Sequence, residues 1–466
     1  MKFLSENWIF SGDDDSTRSF WWDKGKNIYF GEWPYMCIQE NIGIINGHSK
    51  KTTKSIYVAL STFETWQALR SFALSKFQEG STFNAEGDDI KNKRALNLYT
   101  ANDCGVFINK GNPFIKEKFS IELRKYNEIP VKGTLKVDSK NGSVRGIEKS
   151  FEDRTLAMEA STSMSEKYDS DIISVKVDLG LLFFEKNVAL FRIKDVDFKT
   201  EIKKYKGFNI YSINNGLMTI KSSPDFTSGI YSLTYKNEEY LHSNFPNSEM
   251  RTWYNPWFGG MQTVPRNWYV ESKSLLNEKV ITSFVKITDT CGNEWQGIKT
   301  SLNITKNEQY KGLKINEYYL MLPGVPVLCH TSEITNNTGE FMKDMLLAHK
   351  NFFNIGNDMI KNFITFKDSN NEIKTYRAGI EFCDIFPSSS LLYGNYDLEN
   401  KLQIYINQEN SMARATISVD DNVYLLTRNL DIPNNRSIFT NPIFYILTDN
   451  LMDEIMLDSL KNTCFS

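Results

Sequence analysis

The densest set of chemically useful side chains lies in the segment Arg251–Tyr269, which reads RTWYNPWFGGMQTVPRNWY. It holds three of the nine tryptophans of the chain, Trp253, Trp257 and Trp268, together with Arg266. Because proline and glycine interrupt the segment every few residues, neither a helical nor a strand period fits it. Indole rings have large apolar faces and one polar N–H, so they pack against a protein core or against a flat-faced ligand. The segment therefore predicts either a loop pinned to the core or the floor of a ligand site.

Histidine is scarce, since the chain has only four: His48, His242, His330 and His349. This scarcity limits histidine-based catalysis, and together with the lack of an HExxH pattern it argues against a multi-histidine zinc site. His242 shortly precedes the tryptophan-rich segment, so it either lines the same pocket or supports a turn. His330 follows Cys329 in an apolar strand, where neighbours point to opposite faces. We therefore expect no thiol–imidazole pair from these two residues.

Two acidic clusters are candidate cation loops, Asp13–Asp15 and Glu86–Asp89. Neither has the spaced oxygen ligands and final glutamate of an EF-hand, and solvated turns explain both clusters. The chain also lacks a GxGxxG or P-loop glycine pattern. We expect neither a metal nor a cofactor.

Length and composition limit the class of protein. With 466 residues the chain is too long for one ordinary core, so we expect two or three domains, and its 41% hydrophobic and 13% aromatic content can build them. The net charge of −3 argues against a nucleic-acid partner. No apolar run approaches the roughly 18 residues of a membrane helix, so we expect no membrane partner. Six scattered cysteines and an N-terminus without a sustained apolar run predict a reduced, cytoplasmic protein.

The elements that must position these side chains are mostly strands. Alternating apolar and polar residues, bounded by Asn, Gly and Asp, predict successive hairpins through most of the chain. The clearest helix candidate is Thr62–Phe77, and a short helix is expected around Met452–Leu460. The charged stretch at residues 195–207 predicts a boundary. We therefore predict a mainly β protein with a β-sandwich-like domain at residues 1–200 and a second β domain at 207–466.

The second half resembles the galactose-mutarotase-like, or aldose 1-epimerase-like, β-supersandwich family. Gly229, followed by alternating Tyr231, Leu233 and Tyr235, is similar to the opening hairpin of that family. The stretch SEITNNTGEFMKDMLLAHKNFFNIG at residues 332–356 resembles the segment in which a Thr-Gly turn leads into a strand with a histidine and a Phe-Phe-Asn motif. The resemblance covers roughly residues 207–464 and implies a supersandwich fold.

The same resemblance implies carbohydrate as the partner and a set of site residues. The family histidine that acts as a catalytic acid corresponds to His349, with Asn354 as its neighbour in the motif. Where the family has a Leu-His-Gly-Gly motif, this chain has Trp257-Phe258-Gly259-Gly260, so a phenylalanine replaces the second histidine. The general base of the family has no secure match, and Glu381 and Asp384 are both candidates.

Three functions remain open from the sequence. In the first, the protein acts on a sugar as an epimerase-like or glycan-processing enzyme, through acid–base chemistry between His349 and a carboxylate. In the second, it binds a glycan without chemistry. In the third, it is a structural or assembly protein whose domains pack through the tryptophan-rich segment. The predicted sugar site lies in a Trp-lined cleft and is formed by Trp253, Trp257, Trp268, Arg266, His242, Asn354 and His349. The oligomeric state stays open.

Overall fold

The computed structural model describes sixteen segments of the chain. These are residues 8–12, 17–22, 27–30, 36–39, 42–53, 55–63, 65–76, 104–125, 131–153, 158–179, 183–251, 254–265, 278–368, 370–387, 389–407 and 411–465. The chain forms two compact units, which are not consecutive halves: residues 1–107, 122–132 and 152–159 form the first, and the remaining residues form the second. An independent domain at residues 1–200 stays a prediction. The predicted mainly β class is confirmed.

The first unit has short strands and one helix. Its elements are β1 (Trp8–Gly12), β2 (Thr17–Trp22), β3 (Asn27–Phe30), β4 (Met36–Gln39), β5 (Ile56–Leu60) and α1 (Trp66–Lys76). Strands β1, β2 and β5 form an antiparallel sheet. The indole of Trp66 on α1 stacks on that of Trp8, with ring centroids 6.2 Å apart. Aromatic packing therefore joins the helix to its sheet.

Helix α1 begins four residues later than the predicted start at Thr62. The hydroxyl of Thr65 accepts a hydrogen bond from the Ala68 backbone N–H at 3.2 Å and so caps the helix. The hydroxyl of Thr62 instead donates to the carbonyl of Leu60, also at 3.2 Å. Either threonine fits the sequence pattern of an N-cap, and the observed start follows from which hydroxyl reaches a free N–H.

Eight further strands precede the two large sheets of the second unit. They lie between residues 104 and 192, where the chain passes back and forth between the two units. They are β6 (Cys104–Ile108), β7 (Phe114–Ile115), β8 (Lys118–Lys125), β9 (Val131–Ser139), β10 (Ile147–Asp153), β11 (Met158–Ser163), β12 (Ser170–Asp178) and β13 (Phe183–Arg192). Strand β12 alternates between half-buried and buried residues along its length, which is the pattern that its sequence predicts.

Two large antiparallel sheets dominate the second unit, and among the described residues each has ten strands. We call the first the front sheet. It contains β14 (Lys199–Tyr205), β15 (Phe208–Asn214), β16 (Met218–Ser222), β17 (Ile230–Tyr235), β18 (Glu238–Glu239), β21 (Met261–Pro265), β26 (Met342–Phe353), β29 (Cys383–Ile385), β32 (Ser411–Ile417) and β33 (Asn422–Ile432). Its order is β14-β15-β16-β17-β21-β26-β33-β32-β29, with β18 beside β17. Strand β29 therefore lies at one edge.

We call the other sheet the back sheet. It contains β22 (Lys279–Thr288), β23 (Glu294–Asn303), β24 (Leu313–Met321), β25 (Val327–Asn336), β27 (Asn362–Lys367), β28 (Ile373–Arg377), β30 (Ser390–Asn395), β31 (Lys401–Ile406), β34 (Arg436–Phe439) and β35 (Ile443–Thr448). A separate hairpin, β19 (Glu249–Arg251) with β20 (Tyr254–Trp257), and the short helix α2 (Glu454–Leu457) complete the described elements. The predicted C-terminal helix thus exists as α2, followed by a 3₁₀ turn at Asp458–Asn462.

The two sheets pack face to face. One buried cluster contains Ile220, Met261 and Leu426 from the front sheet together with Tyr319 and Ile404 from the back sheet. A β-sandwich buries its core in this way, between two inner faces. Each sheet therefore has an inner face turned to the other sheet and an outer face turned away from it.

The predicted boundary stretch contains a strand. Exposed strand β14 pairs with β15 through a two-residue turn at Lys206 and Gly207, both at positive φ. Such turns match the twist of a hairpin, and glycine adopts this conformation without strain. The many charges that suggested a linker lie on this edge strand of the front sheet, where charged side chains are usual.

Candidate functional site

The register of the front sheet separates neighbouring residues of β26 onto opposite faces. Residues paired across antiparallel strands share a face. His349 pairs with Thr263 on β21 and Leu426 on β33, and Leu426 belongs to the core between the sheets. Lys350 pairs with Gln262 and with Leu425, one position further along each strand. His349 therefore lies on the inner face, and Lys350 lies on the outer face.

His349, the predicted catalytic acid, is completely buried. Its Nδ1 lies 2.8 Å from the hydroxyl of Thr263, and its ring contacts His330 edge to face with 5.3 Å between centroids. Burial, followed by the positive charge of Arg428, holds the pKa of His349 well below its usual value. The imidazole is therefore neutral at neutral pH.

Trp257 packs against the outer face and is also completely buried. The guanidinium of Arg251 lies 3.6 Å from the centre of its ring system. The rings of His242 and Phe352 meet it edge to face, at 4.7 and 5.5 Å between centroids. One broad face of this indole is thus occupied by Arg251 in a cation–π contact, and Phe352 anchors it to β26.

Two carboxylates hold Arg251 in place over Trp257. Its Nη1 bonds to Asp421, which is only 3% exposed, and its Nη2 lies 3.1 Å from Glu249. Burial raises the pKa of Asp421 even though Arg251 opposes that effect. Burial and the nearby Arg251 charge lower the pKa of His242 to about 4. This group is a buried charge network with a neutral imidazole at its side.

The third cluster lies at the β29 edge of the outer face. Asp384 accepts two hydrogen bonds from Arg414, at 3.1 and 2.7 Å, and one from Thr416 at 2.9 Å. These bonds, the Arg414 bond first, lower the pKa of Asp384. Cys383 and Ile385 pack into the core, so Asp384 between them projects outward, and Phe382 and Phe386 flank the strand at its two ends. The two phenylalanines are 58% and 65% exposed.

The remaining predicted residues are scattered. Trp253, Arg266 and Trp268 lie outside the described residues. Glu381 is exposed in the bend before β29. Asn354 is half-buried directly after β26, and its side-chain oxygen has no hydrogen-bond partner among the described residues. Asp384 and Lys350 share the outer face, whereas His349 has the sheet between itself and Asp384.

The second unit also has a cleft away from the predicted site residues. This cleft of about 870 Å³ is lined by residues including Glu166, Arg192, Lys194, Asp197 and Asn293, and contains none of the predicted site residues. Its buried Arg192 already pairs with Glu166 and the Met164 carbonyl.

Within the described segments, His, Cys, Asp and Glu form no group of three or more that could hold a metal ion. None of the helices described here is long and apolar enough to cross a membrane.

No protein-family model matches the chain, and no curated protein matches its sequence. Among solved structures, the Slr1438 protein from Synechocystis is similar over 54% of this chain and 96% of its own, with 9% identity and a TM-score of 0.35. The GH36 alpha-galactosidase AgaA from Geobacillus stearothermophilus is similar over 52% of this chain and 40% of its own, with 10% identity and a TM-score of 0.32. The chain thus spans less than half of that galactosidase. Both similarities are too distant to assign an activity.

Sequence reasoning missed several residues of the outer face. Arg251 was visible as the first residue of the tryptophan-rich segment, but nothing local shows that it covers Trp257. The sequence Phe382-Cys383-Asp384-Ile385-Phe386 has a period of two, which was a usable signal for an outward Asp384 between two phenylalanines. Arg414 carries no local signal, because its pairing with Asp384 depends on the register of β32 with β29.

Proposed function

We propose that the protein binds a neutral carbohydrate on the outer face of the front sheet, at its β29 edge. The observation that carries this proposal is the polar group Asp384–Arg414–Thr416 between two exposed phenylalanines. Apolar ring faces suit the C–H surfaces of a sugar, and a fixed carboxylate–guanidinium pair offers both acceptors and donors to hydroxyl groups. Because Arg414 and Asp384 cancel in charge, an uncharged ligand matches the site better than an anionic one.

The spacing along β29 favours an oligosaccharide over a single sugar. Phe382 and Phe386 flank the three-residue strand β29 and are four residues apart, which corresponds to roughly 13 Å of extended chain. One pyranose ring cannot stack on both phenylalanines at this separation. Sugar units at the two ends of a short chain can stack while a middle unit hydrogen-bonds to Asp384 and Arg414.

This proposal keeps only part of the predicted tryptophan-lined cleft as the ligand site. Trp257 is enclosed by Arg251, His242 and Phe352, so we assign it to the support of the outer face rather than to stacking on the ligand. Trp253 and Trp268 remain proposed ligand contacts. We favour binding without chemistry, because the buried imidazole of His349 and the carboxylate of Asp384 lie on opposite faces of one sheet. Epimerase-like catalysis through that pair has no support from this arrangement.

Calorimetric titration with glucose, galactose, mannose and their β-linked oligomers, up to the hexasaccharide, tests the proposal. We expect binding to strengthen from the monosaccharide to the oligomers in at least one series. Phe386→Ala and Asp384→Asn should each weaken it several-fold. Phe341→Ala is the matched control, because Phe341 is 54% exposed in the turn before β26 and away from β29. Unchanged affinity in both Phe386→Ala and Asp384→Asn would contradict carbohydrate binding at this site.

The alternative assembly function gives a different result. If the exposed phenylalanines bind a second copy of the chain, sedimentation will show a dimer that Phe386→Ala disrupts, and no sugar will bind. That outcome contradicts carbohydrate binding and supports the structural role.

A further inference from the structure

The interior of the sandwich contains an unusual number of polar side chains around His349. Glu317 on β24 is 2% exposed and accepts hydrogen bonds from Tyr319 at 2.6 Å and from His330 Nε2 at 3.2 Å. Thr263 lies between the two imidazoles, 2.8 Å from His349 Nδ1 and 3.5 Å from His330 Nε2. These contacts provide the basis for assigning the protons.

The proton assignment proceeds outward from the carboxylate. Because the Glu317 carboxylate accepts from His330, the Nε2 atom of His330 carries a hydrogen. Nε2 of His330 therefore cannot accept a hydrogen bond from Thr263, so we assign the Thr263 hydroxyl as the donor to Nδ1 of His349. In a neutral imidazole the other nitrogen then carries the hydrogen. Nε2 of His349 is thus an N–H donor, and it has no partner among the described residues.

Arg428 adds two more donors on the same inner face. It pairs with Leu347 on β26, two residues before His349, so the two side chains are diagonal neighbours across adjacent strands. Arg428 is 3% exposed, and its Nε and Nη2 atoms have no hydrogen-bond partner among the described residues. Burial lowers the pKa of Arg428 only to about 10, so the guanidinium keeps its charge at neutral pH.

We propose that a monovalent inorganic anion of the size of chloride binds between Arg428 and His349 inside the sandwich. Three buried N–H donors on this inner face have no partner among the described residues, and two of them belong to the charged guanidinium of Arg428. A buried charge is strongly unfavourable without a counterion. Nearby titratable groups do not supply that counterion: Tyr424 and Tyr445 are neutral, because burial raises both pKa values above the usual value, and Glu317 is hydrogen-bonded to His330 and Tyr319.

The charge of the site selects the class of anion. One guanidinium pairs with one negative charge, whereas a phosphate or sulfate dianion would bring a second, unpaired charge into the core. Water satisfies Arg428 and His349 Nε2 less well, because each water molecule brings two hydrogens that need acceptors, and these atoms are all donors. The inference is independent of the proposed carbohydrate site on the other face.

Bromide reports the site directly, since it has the charge of chloride and scatters anomalously. Crystals of the full chain soaked in sodium bromide should show an anomalous peak within hydrogen-bond distance of both Arg428 and His349. Ordinary water density at that position, without an anomalous peak, would overturn the proposal.

Thermal unfolding provides the second readout. The wild-type melting temperature should rise saturably with sodium chloride, relative to sodium gluconate at equal ionic strength, because an anion that binds only the folded state stabilises it. Arg428→Met should lose this chloride response, and Arg436→Met, which removes an exposed arginine on β34, should keep it. Equal melting temperatures in the two salts would overturn the proposal. If Arg428→Met fails to fold, the wild-type salt comparison and the bromide peak still decide the question.

Discussion

The two faces of the front sheet use the same residue types in opposite ways. On the inner face, His349 and Arg428 are buried, Thr263 bonds to His349, and His349 Nε2 and Arg428 Nε and Nη2 have no partner among the described residues. On the outer edge, Asp384 and Arg414 are each 40% exposed and bond to each other. The buried groups on the inner face thus affect stability, while the Asp384–Arg414 pair at the outer edge stays free to meet a ligand. Residue type alone therefore does not identify a site.

Trp257→Ala should have the largest effect on stability. Removing a completely buried indole leaves a cavity beside Phe352 and His242, and such substitutions typically cost about 3–5 kcal/mol. Phe386→Ala, at an exposed ring, should change the unfolding free energy by no more than about 0.5 kcal/mol. Urea denaturation of both variants measures the difference. Similar costs for the two would contradict the packed position of Trp257.

Acid should destabilise the protein through its buried histidines. An unfolded histidine titrates near 6.5, whereas the folded pKa of His242 is about 4. The unfolded chain therefore takes up the proton first. The stability contributed by neutral His242 is complete above about pH 6.5 and is lost as the pH falls toward 4, by about 3 kcal/mol. His349 acts in the same direction.

Urea midpoints over a pH series check this sign. His242→Gln should make stability less dependent on pH between these two pKa values, whereas His48→Gln should leave the slope unchanged, since His48 is exposed in a turn. A wild-type protein that becomes more stable on acidification through this range would show that the imidazole is not buried in its neutral form.

A matched pair of threonines compares the two faces directly. Thr263→Val removes the buried hydroxyl that bonds to His349 and leaves Nδ1 unpaired, which should cost about 1–3 kcal/mol. Thr416→Val removes a bond to the exposed carboxylate of Asp384, where water replaces the hydroxyl, so the cost should stay below about 1 kcal/mol. Chemical denaturation of the two variants measures both. A larger cost at Thr416 would reverse the assignment of the faces.

The sequence predicted the mainly β class and the hairpins, because a period of two reports directly which residues are buried on a strand. It could not tell His349 from Lys350 as the outward residue. The run LLAHKNFF is apolar on both faces around them. Its sequence therefore shows no alternation of polar and apolar residues that would distinguish the two faces. Register with β21 and β33 decides the face, and register depends on residues more than seventy positions away.

The candidate site shows the same limit. Asp384 was named from the sequence, but its partner Arg414 comes from another strand, and their contact depends on the pairing of β29 with β32. Trp257 was named as a ligand contact because indoles suit sugars. Its indole is instead covered by Arg251, which the sequence places nearby without showing the stacking. Local pattern therefore identified useful side chains, and only the sheet showed which of them face solvent.

Asp384→Asn should have only a small effect on stability and still reduce ligand binding. Exposed ion pairs contribute at most about 1 kcal/mol, because solvent screens them and each partner finds water when the other is removed. The substitution keeps the shape of the side chain but removes the charge that orients Arg414, so the affinity for an oligosaccharide should fall several-fold. Denaturation and calorimetric titration of this one variant separate the two effects. A loss of stability larger than any loss of binding would show that the Asp384–Arg414 pair serves the fold, as His349 does on the inner face.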